Sequence, residues 1–467
     1  MTIVKKIKRK RKRIKRTFSI IKKSNLDFFN KIFRILSWLL PGLVLKRWIV
    51  TSAIGLITSL LGIAIWTNLR PLYWLIETFF WLMTGLTSIF PVSILGPFIL
   101  FIGLLLICLG QNRSINSIQK ALVPQKETLL VDALRVNSKL SRGPNIVAIG
   151  GGTGLSTLLK GLKNYSSNIS AIVTVTDDGG SSGILRKQLG VQPPGDIRNC
   201  LAALSNEEPT LTRLFQYRFS GGGGLEGHSF GNLFLSALTT ITGSLEKAVQ
   251  ASSQVLSVQG QVIPATGTDV MLWAELEDGE KIFGESLIGK SVKPISRIGC
   301  LPENPPALKN AIEAIKEADL IVLGPGSLYT SLLPNLLVPE IVEELLKNNS
   351  PKIYISNLMT QPGETDGLDV YQHIKSIEKQ LFNFGVNTRI FNAILSQGEF
   401  EGSSLIDYYR SRGAEPVICN KKRLVSEGYH VLQAPLYSKR ITPTLRHDYR
   451  RLARAVMYMY KKIKKAN

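Results

Sequence analysis

Two glycine-rich segments of this chain each follow an apolar run, and each could close a backbone around an anion. The first is Asn145-Ile-Val-Ala-Ile-Gly-Gly-Gly-Thr-Gly-Leu-Ser156. The apolar run stops in a glycine cluster and helical spacing resumes after it. A buried parallel strand that turns into a helix over a phosphate has this pattern, because glycine lets the backbone come close and the helix N-terminus supplies N–H groups. The second run, Ile169 to Val175, ends in Thr176-Asp-Asp-Gly-Gly-Ser-Ser-Gly183. Asp177 and Asp178 can hold Mg2+ through oxygen ligands, bind ribose hydroxyls or orient a reacting hydroxyl. Helix capping and turn formation would use the same side chains structurally.

Four further segments carry similar chemistry. Pro193-Pro-Gly-Asp-Ile-Arg-Asn199 opens a helix. Asp196 alone would be an ordinary cap there, and Arg198 adds a bidentate partner for phosphate or carboxylate. Gly221-Gly-Gly-Gly-Leu-Glu-Gly-His-Ser-Phe-Gly-Asn-Leu233 places His228 and Asn232 after a glycine run, and Asn232 could read a base or sugar edge. Gly324-Pro-Gly-Ser-Leu-Tyr-Thr-Ser331 offers N–H groups and hydroxyls at a helix start, an anion nest. The sixth, Asn357 to Thr365, is polar with Pro362-Gly363 turn chemistry. Gly150 to Gly154 resembles the dinucleotide fingerprint, but Leu155 occupies its third glycine position, so phosphate binding is expected and an NAD assignment does not follow.

These loops need strands to carry them. Strands are expected at Ile146–Ile149, Ala171–Val175, Leu320–Leu323 and Lys352–Ile355, and a weaker one at Arg389–Asn392. Helices are expected at Asp196–Ser205, Leu211–Phe219, Asn232–Ile241, Leu245–Ser253, Ala307–Ala318 and Asp448–Lys465. A β-rich stretch from Gln254 to about Ile298 contains the hairpin signal Glu277-Asp-Gly-Glu280. Strands alternating with helices argue for a Rossmann-like, doubly wound and mostly parallel α/β sheet, with a ligand crevice at its carboxyl edge.

The chain has 467 residues and a net charge of +23, spread unevenly. Residues 1–47 hold sixteen Lys/Arg against one acid, Asp27. Trp48 to Leu69 is free of charge over 22 residues, and Ile94 to Gly110 is a second such run, extendable back to Pro91. Leu72 to Phe90 is apolar but broken by Glu77. The expectation is a basic cytoplasmic arm (1–47), a membrane region (48–110) with spans near 48–69 and 91–110, a linker (111–142) with helical spacing over Lys126 to Leu140, and a nucleotide-binding domain (143–467). Transmembrane helices would thus precede the α/β fold. By the positive-inside rule, both the arm and the domain lie on the cytoplasmic face of a multi-pass cell-membrane protein. The segment 72–90 is read as an interfacial or re-entrant stretch. No aromatic side chains are interleaved in the basic block Lys8 to Arg13, so nucleic acid is not an expected partner. The four cysteines and four histidines are scattered, without metal-ligand spacing.

In this order, the motifs Ile149-Gly-Gly-Gly-Thr-Gly-Leu155, Val175-Thr-Asp-Asp-Gly-Gly-Ser-Ser-Gly183, Pro194-Gly-Asp-Ile-Arg-Asn199, Gly227-His-Ser-Phe-Gly-Asn-Leu233, Gly324-Pro-Gly-Ser-Leu-Tyr329 and Met359-Thr-Gln-Pro-Gly-Glu-Thr365 resemble the CofD/YvcK-like family over about residues 145 to 460. The resemblance implies a Rossmann-like fold and one of two activities. One branch transfers a phospholactyl group from a guanylylated donor to a deazaflavin precursor, with Mg2+. The other, the YvcK or gluconeogenesis factor branch, binds UDP-N-acetylglucosamine and regulates cell-wall precursor supply and cell shape. The forms of the second and sixth motifs look like the YvcK branch, as do Tyr409 in Tyr409-Arg-Ser-Arg-Gly-Ala-Glu-Pro416 and Arg446-His-Asp448. The N-terminal 140 residues are a departure that the resemblance does not explain.

The resulting expectation is a membrane-tethered UDP-sugar-binding regulator with a protein target in cell-wall precursor synthesis, able to form homo-oligomers. The ligand-binding set is Gly150, Gly151, Gly152, Thr153, Gly154, Asp177, Asp178, Gly179, Ser181, Asp196, Arg198, Asn199, His228, Asn232, Gly324, Gly326, Ser327, Asn357, Tyr409 and Arg446. Tyr409 would stack on uracil or sugar, and Arg446 would hold the diphosphate. The alternative is a nucleotide-dependent phospholactyl-type transferase acting with Mg2+, with Asp177 and Asp178 as its catalytic and metal candidates. A dehydrogenase is disfavoured by Leu155 and by the lack of a proton donor for a hydride site.

Overall fold

Every residue of strand β1 (Ile146–Gly150) is buried, as befits a strand covered on both faces. In the computed structural model it lies between β2 (Ile169–Val173) and β7 (Leu320–Leu323). The remaining strands of this sheet are β3 (Gln261–Pro264), β8 (Lys352–Ile355), β9 (Ala393–Gln397) and β10 (His430–Ala434). Their spatial order is β10-β9-β8-β7-β1-β2-β3, and every pairing is parallel. The chain builds outward from β1 to β3, then returns to β7 and builds the other way. The strand order therefore reverses between β1 and β7, and a crevice opens there at the carboxyl ends. The structure describes residues 45–67, 70–89, 91–122, 138–206, 209–291, 293–400, 404–437 and 445–466. The chain divides into two compact units, Met1–Ser138 and Lys139–Asn467, and this sheet lies in the second.

Helices cover the sheet through apolar stripes. In the Gly152–Leu162 helix, Leu155, Leu158, Leu159 and Leu162 are buried at helical spacing. Gly161 lets this helix meet the C-terminal helix Tyr449–Ala466, since a Cβ there would stand 2.1 Å from the Tyr449 carbonyl oxygen. The β-rich stretch resolves into two parts. β3 joins the parallel sheet, whereas β4 (Met271–Leu276), β5 (Lys281–Phe283) and β6 (Ile295–Leu301) form a separate antiparallel sheet in the order β5-β4-β6. The expected hairpin turn joins β4 to β5, with Gly279 in left-handed conformation.

Several expectations need correction. The ninth strand begins at Ala393, not Arg389, because register with Ile353 and His430 starts there and Arg389 instead reaches the Glu427 carbonyl. The helices Gly180–Leu189 and Val370–Phe382 and strand β10 are additions to the expected elements. The second of these helices carries a legible signal, a capping box between Asp369 and Gln372.

The expected membrane spans near 48–69 and 91–110, and with them the multi-pass membrane location, are withdrawn. No helix among the described residues is long and apolar enough to cross a membrane. The helices that form do not follow the charge-free stretches. Leu45–Trp66 starts on Lys46 and Arg47, Arg70–Ile89 includes Glu77, and Val92–Leu122 holds Pro97 and runs into the polar 111–120 segment. The segment read as interfacial is thus largely the Arg70–Ile89 helix. Most of the basic arm and most of the expected 126–140 helix fall outside the described residues.

The Gly161 crossing makes a test. Gly161→Ala should destabilise the second unit by about 1–3 kcal/mol through overpacking against a backbone that cannot yield. Denaturant unfolding at unchanged m-value would register it.

Candidate functional site

The loops after β1 and β7 interlock at the strand-order reversal. A Cβ on Gly154 would stand 2.3 Å from the Pro325 carbonyl oxygen, and one on Gly151 would stand 2.5 Å from Asp196 Oδ2. Gly152 adopts φ +64°, a left-handed conformation open to glycine. Asn335, fully buried, donates its Nδ2–H2 to the carbonyls of Gly150 (3.2 Å) and Ser331 (2.8 Å), tying strand end to loop. Leu155, at the position where a dinucleotide fingerprint has glycine, is fully buried in the core. At this position the helix meets the core with a leucine side chain.

A cleft of about 450 Å³ opens over these loops. Of the expected set, Gly151, Gly152, Thr153, Gly154, Gly326, Ser327, Asn357, Tyr409 and Arg446 line it. Arg446 is exposed at the rim. Gln361 donates to Ser327 Oγ at 2.8 Å, and the Tyr409 hydroxyl accepts the Leu445 N–H at 3.0 Å. Thr157 and Glu285 also line the cleft from outside the quoted motifs, and Thr330, Ser331, Gln361 and His447 line it from within them, although none of the six was in the expected ligand set. A second hollow, of about 480 Å³, lies at the opposite edge of the sheet beside Asn145 and Gly260, away from every glycine-rich loop.

The remaining candidates form a polar layer that does not line the cleft. Gly150 and Gly324 end their strands. Asp196 accepts the Gly152 N–H, and burial first, then Asp177, pushes its pKa up to about 6. Asp177 accepts the Gly179 N–H at 2.9 Å. Asp178 accepts the Ser286 N–H at 2.8 Å, and a Cβ on Gly284 would clash with its Oδ2. It therefore clamps the Glu285–Ile288 turn of the small sheet's connection onto the loop after β2. Arg198 donates to Asn199 Oδ1 at 2.9 Å and to Ser229 Oγ rather than to an acid. His228 Nδ1 lies 3.0 Å from Ser181 Oγ, and Asn232 donates to the same hydroxyl at 3.1 Å.

Glu285 connects the two layers. It faces the cleft, and burial, reinforced by Asp177, Asp196, Asp178 and Glu364, pushes its pKa up to about 9. The site therefore sets N–H donors and hydroxyls above a carboxyl layer in which burial holds Asp196 and Glu285 above the usual carboxylate range. Among the described residues no group of three or more His, Cys, Asp or Glu could hold a metal ion. Asp177 and Asp178 each accept a backbone N–H, which leaves further lone pairs on each carboxylate.

A family model described as 2-phospho-L-lactate transferase CofD matches residues 146–437. A gluconeogenesis factor of Bacillus subtilis is 44% identical over 322 residues, covering 69% of this chain and all of that one. A protein of Nostoc sp., provisionally given the same name, is 50% identical over 423 residues, covering 91% of this chain and 92% of that one. That alignment is longer than the second unit, so it includes part of the first unit as well. A crystal structure of a member of the upf0052 family from Bacillus halodurans, 45% identical, superposes with a TM-score of 0.64 over 68% of this chain and 99% of that one.

Glu285 yields a pH prediction. Its folded pKa lies above its unfolded value, so its ionisation opposes folding. The cost is absent below the unfolded pKa, about 4.5, and grows as pH rises towards about 9. Glu285→Gln removes the titration. Its melting temperature relative to wild type should therefore climb between about pH 5 and pH 8, as followed by calorimetric scans across that range. A flat difference would contradict the burial of this carboxyl.

Proposed function

The chain belongs to the CofD/YvcK-like family, and on that premise we propose that it is a regulatory protein whose cleft binds a UDP-sugar of the UDP-N-acetylglucosamine type. The observation that carries the reading is the interlock of the loops after β1 and β7 at the one point where strand order reverses. There the start of the Gly152–Leu162 helix and the Pro325–Ser327 loop turn backbone towards one cleft, an arrangement suited to a diphosphate. Arg446 at the rim adds a guanidinium for the phosphate oxygens. The Tyr409 ring, anchored by its hydroxyl, offers a face for the uracil or sugar. Relatives named gluconeogenesis factor support a regulatory role, and control of cell-wall precursor supply would give a UDP-sugar sensor its purpose.

A second reading has one observation in its favour. Glu285 faces the cleft with Asp177 and Asp196 behind it, a placement that would suit proton transfer in a nucleotide-dependent transferase of the phospholactyl type.

Titration calorimetry of the full chain with UDP-N-acetylglucosamine decides the ligand. Binding is expected, and Arg446→Ala should weaken it roughly tenfold to a hundredfold, the worth of charge-assisted hydrogen bonds to phosphate. Absence of binding by the wild-type protein would refute the UDP-sugar reading. Transfer of a phospholactyl group from a guanylylated donor, lost in Glu285→Gln, would put the enzyme reading in its place.

A further inference from the structure

His447 lines the cleft next to Arg446, just before the Tyr449–Ala466 helix, and pairs with Tyr437 as an isolated antiparallel bridge. Its Nε2 is sealed from solvent and has no hydrogen-bond partner among the described residues. Its Nδ1 has no partner among them either, yet it is not one of the sealed atoms. The two nitrogens thus differ in what each can meet. A sealed N–H without an acceptor is the rarest defect in a folded protein, whereas a sealed lone pair is better tolerated. The proton therefore belongs on Nδ1, and the bare lone pair on Nε2. Burial also holds the ring neutral, lowering its pKa to about 4. The residue thus brings to the cleft wall an uncharged N–H donor that is not fully sealed, beside an arginine.

We propose that His447 is a ligand-contacting residue of this cleft, donating its Nδ1–H to an acceptor oxygen of a nucleoside diphosphate sugar. This rests on the nucleotide-sugar reading of the cleft and adds a recognition element to it. Arg446 attracts any phosphate, whereas a neutral, oriented donor discriminates by position. A ligand without an oxygen at that point would leave the donor unpaired once water is displaced.

The two ring positions make the test stereochemical. Asparagine places its amide nitrogen where Nδ1 stands, leucine of similar size places a methyl group there, and glutamine carries its amide out to the Nε2 position. Calorimetry of the full chain with UDP-N-acetylglucosamine should find His447→Asn within about threefold of wild type and His447→Leu weaker by about tenfold or more. A purely structural histidine in an apolar wall predicts the reverse order, with leucine tolerated and asparagine damaging. That order, or equal binding by His447→Leu and wild type, would overturn the proposal. Thermal melting of each variant checks that it folds. Should His447→Leu not fold, the comparison passes to His447→Gln, and equal binding by the asparagine and glutamine variants would overturn the proposal as well. If the wild-type protein fails to bind, the nucleotide-sugar reading falls first. If it binds and only the His447 order fails, that reading stands and this one does not.

Discussion

The approach of Gly154 to the Pro325 carbonyl is the constraint on which the site depends. A single Cβ at that position would be driven into the neighbouring loop. With it, β1 and β7 could not keep both their register and their paired loops. The parallel pairing of Ile146 to Ile149 with Leu320 to Leu323 brings the two strand ends level, and the glycines let the loops beyond them interlock. Asn335 then fastens the arrangement from beneath, with two donated hydrogen bonds in a place no water reaches. The cleft is a consequence of this interlock.

A second layer follows from the first. Because Gly151 leaves room for it, Asp196 sits under the helix start and takes the Gly152 N–H. Asp177 and Asp178 then face a region already carrying negative charge. Asp178 resolves this by accepting hydrogen bonds from Ser286, which docks the connection between β5 and β6 beside the cleft and brings Glu285 to its wall. The small antiparallel sheet, an embellishment by topology, thereby contributes a cleft residue. Glu285 is strongly disfavoured from ionising there because three aspartates and Glu364 surround it in a poorly solvated place.

Much of the parallel sheet is legible in the sequence. β1, β2, β7 and β8 are short runs rich in Ile, Val, Leu and Ala that end in glycine or polar residues, too short for a buried helix and too apolar for a loop. The edge strand β10 is not legible, since His430-Val-Leu-Gln-Ala434 is only partly buried and carries polar residues at its start and within. Arg389 to Asn392 misleads because the apolar pair Ile390-Phe391 resembles a strand, while register with β8 and β10 starts only at Ala393. Charge-free stretches near the N-terminus suggest spans that the helices do not form, because absence of charge says nothing of where a helix begins or what interrupts it.

The sequence by itself determined that glycine clusters end buried strands, that the glycine-rich and polar loops gather at the carboxyl edge of an α/β sheet, and that Leu155 breaks the dinucleotide fingerprint. These are local properties, since the chemistry and its spacing lie within a dozen residues. Only the tertiary structure decided which loops meet. It joined the first and fifth motifs with Asn357, Tyr409 and Arg446 in one cleft, and it set His228, Asn232 and Arg198 into a hydrogen-bonded layer apart from it. It also brought to the cleft wall Glu285, which no motif marks, and His447, which shares its motif with Arg446. The reason is physical: a turn is specified by its own residues, but this cleft is specified by the pairing of β1 with β7, segments more than a hundred residues apart.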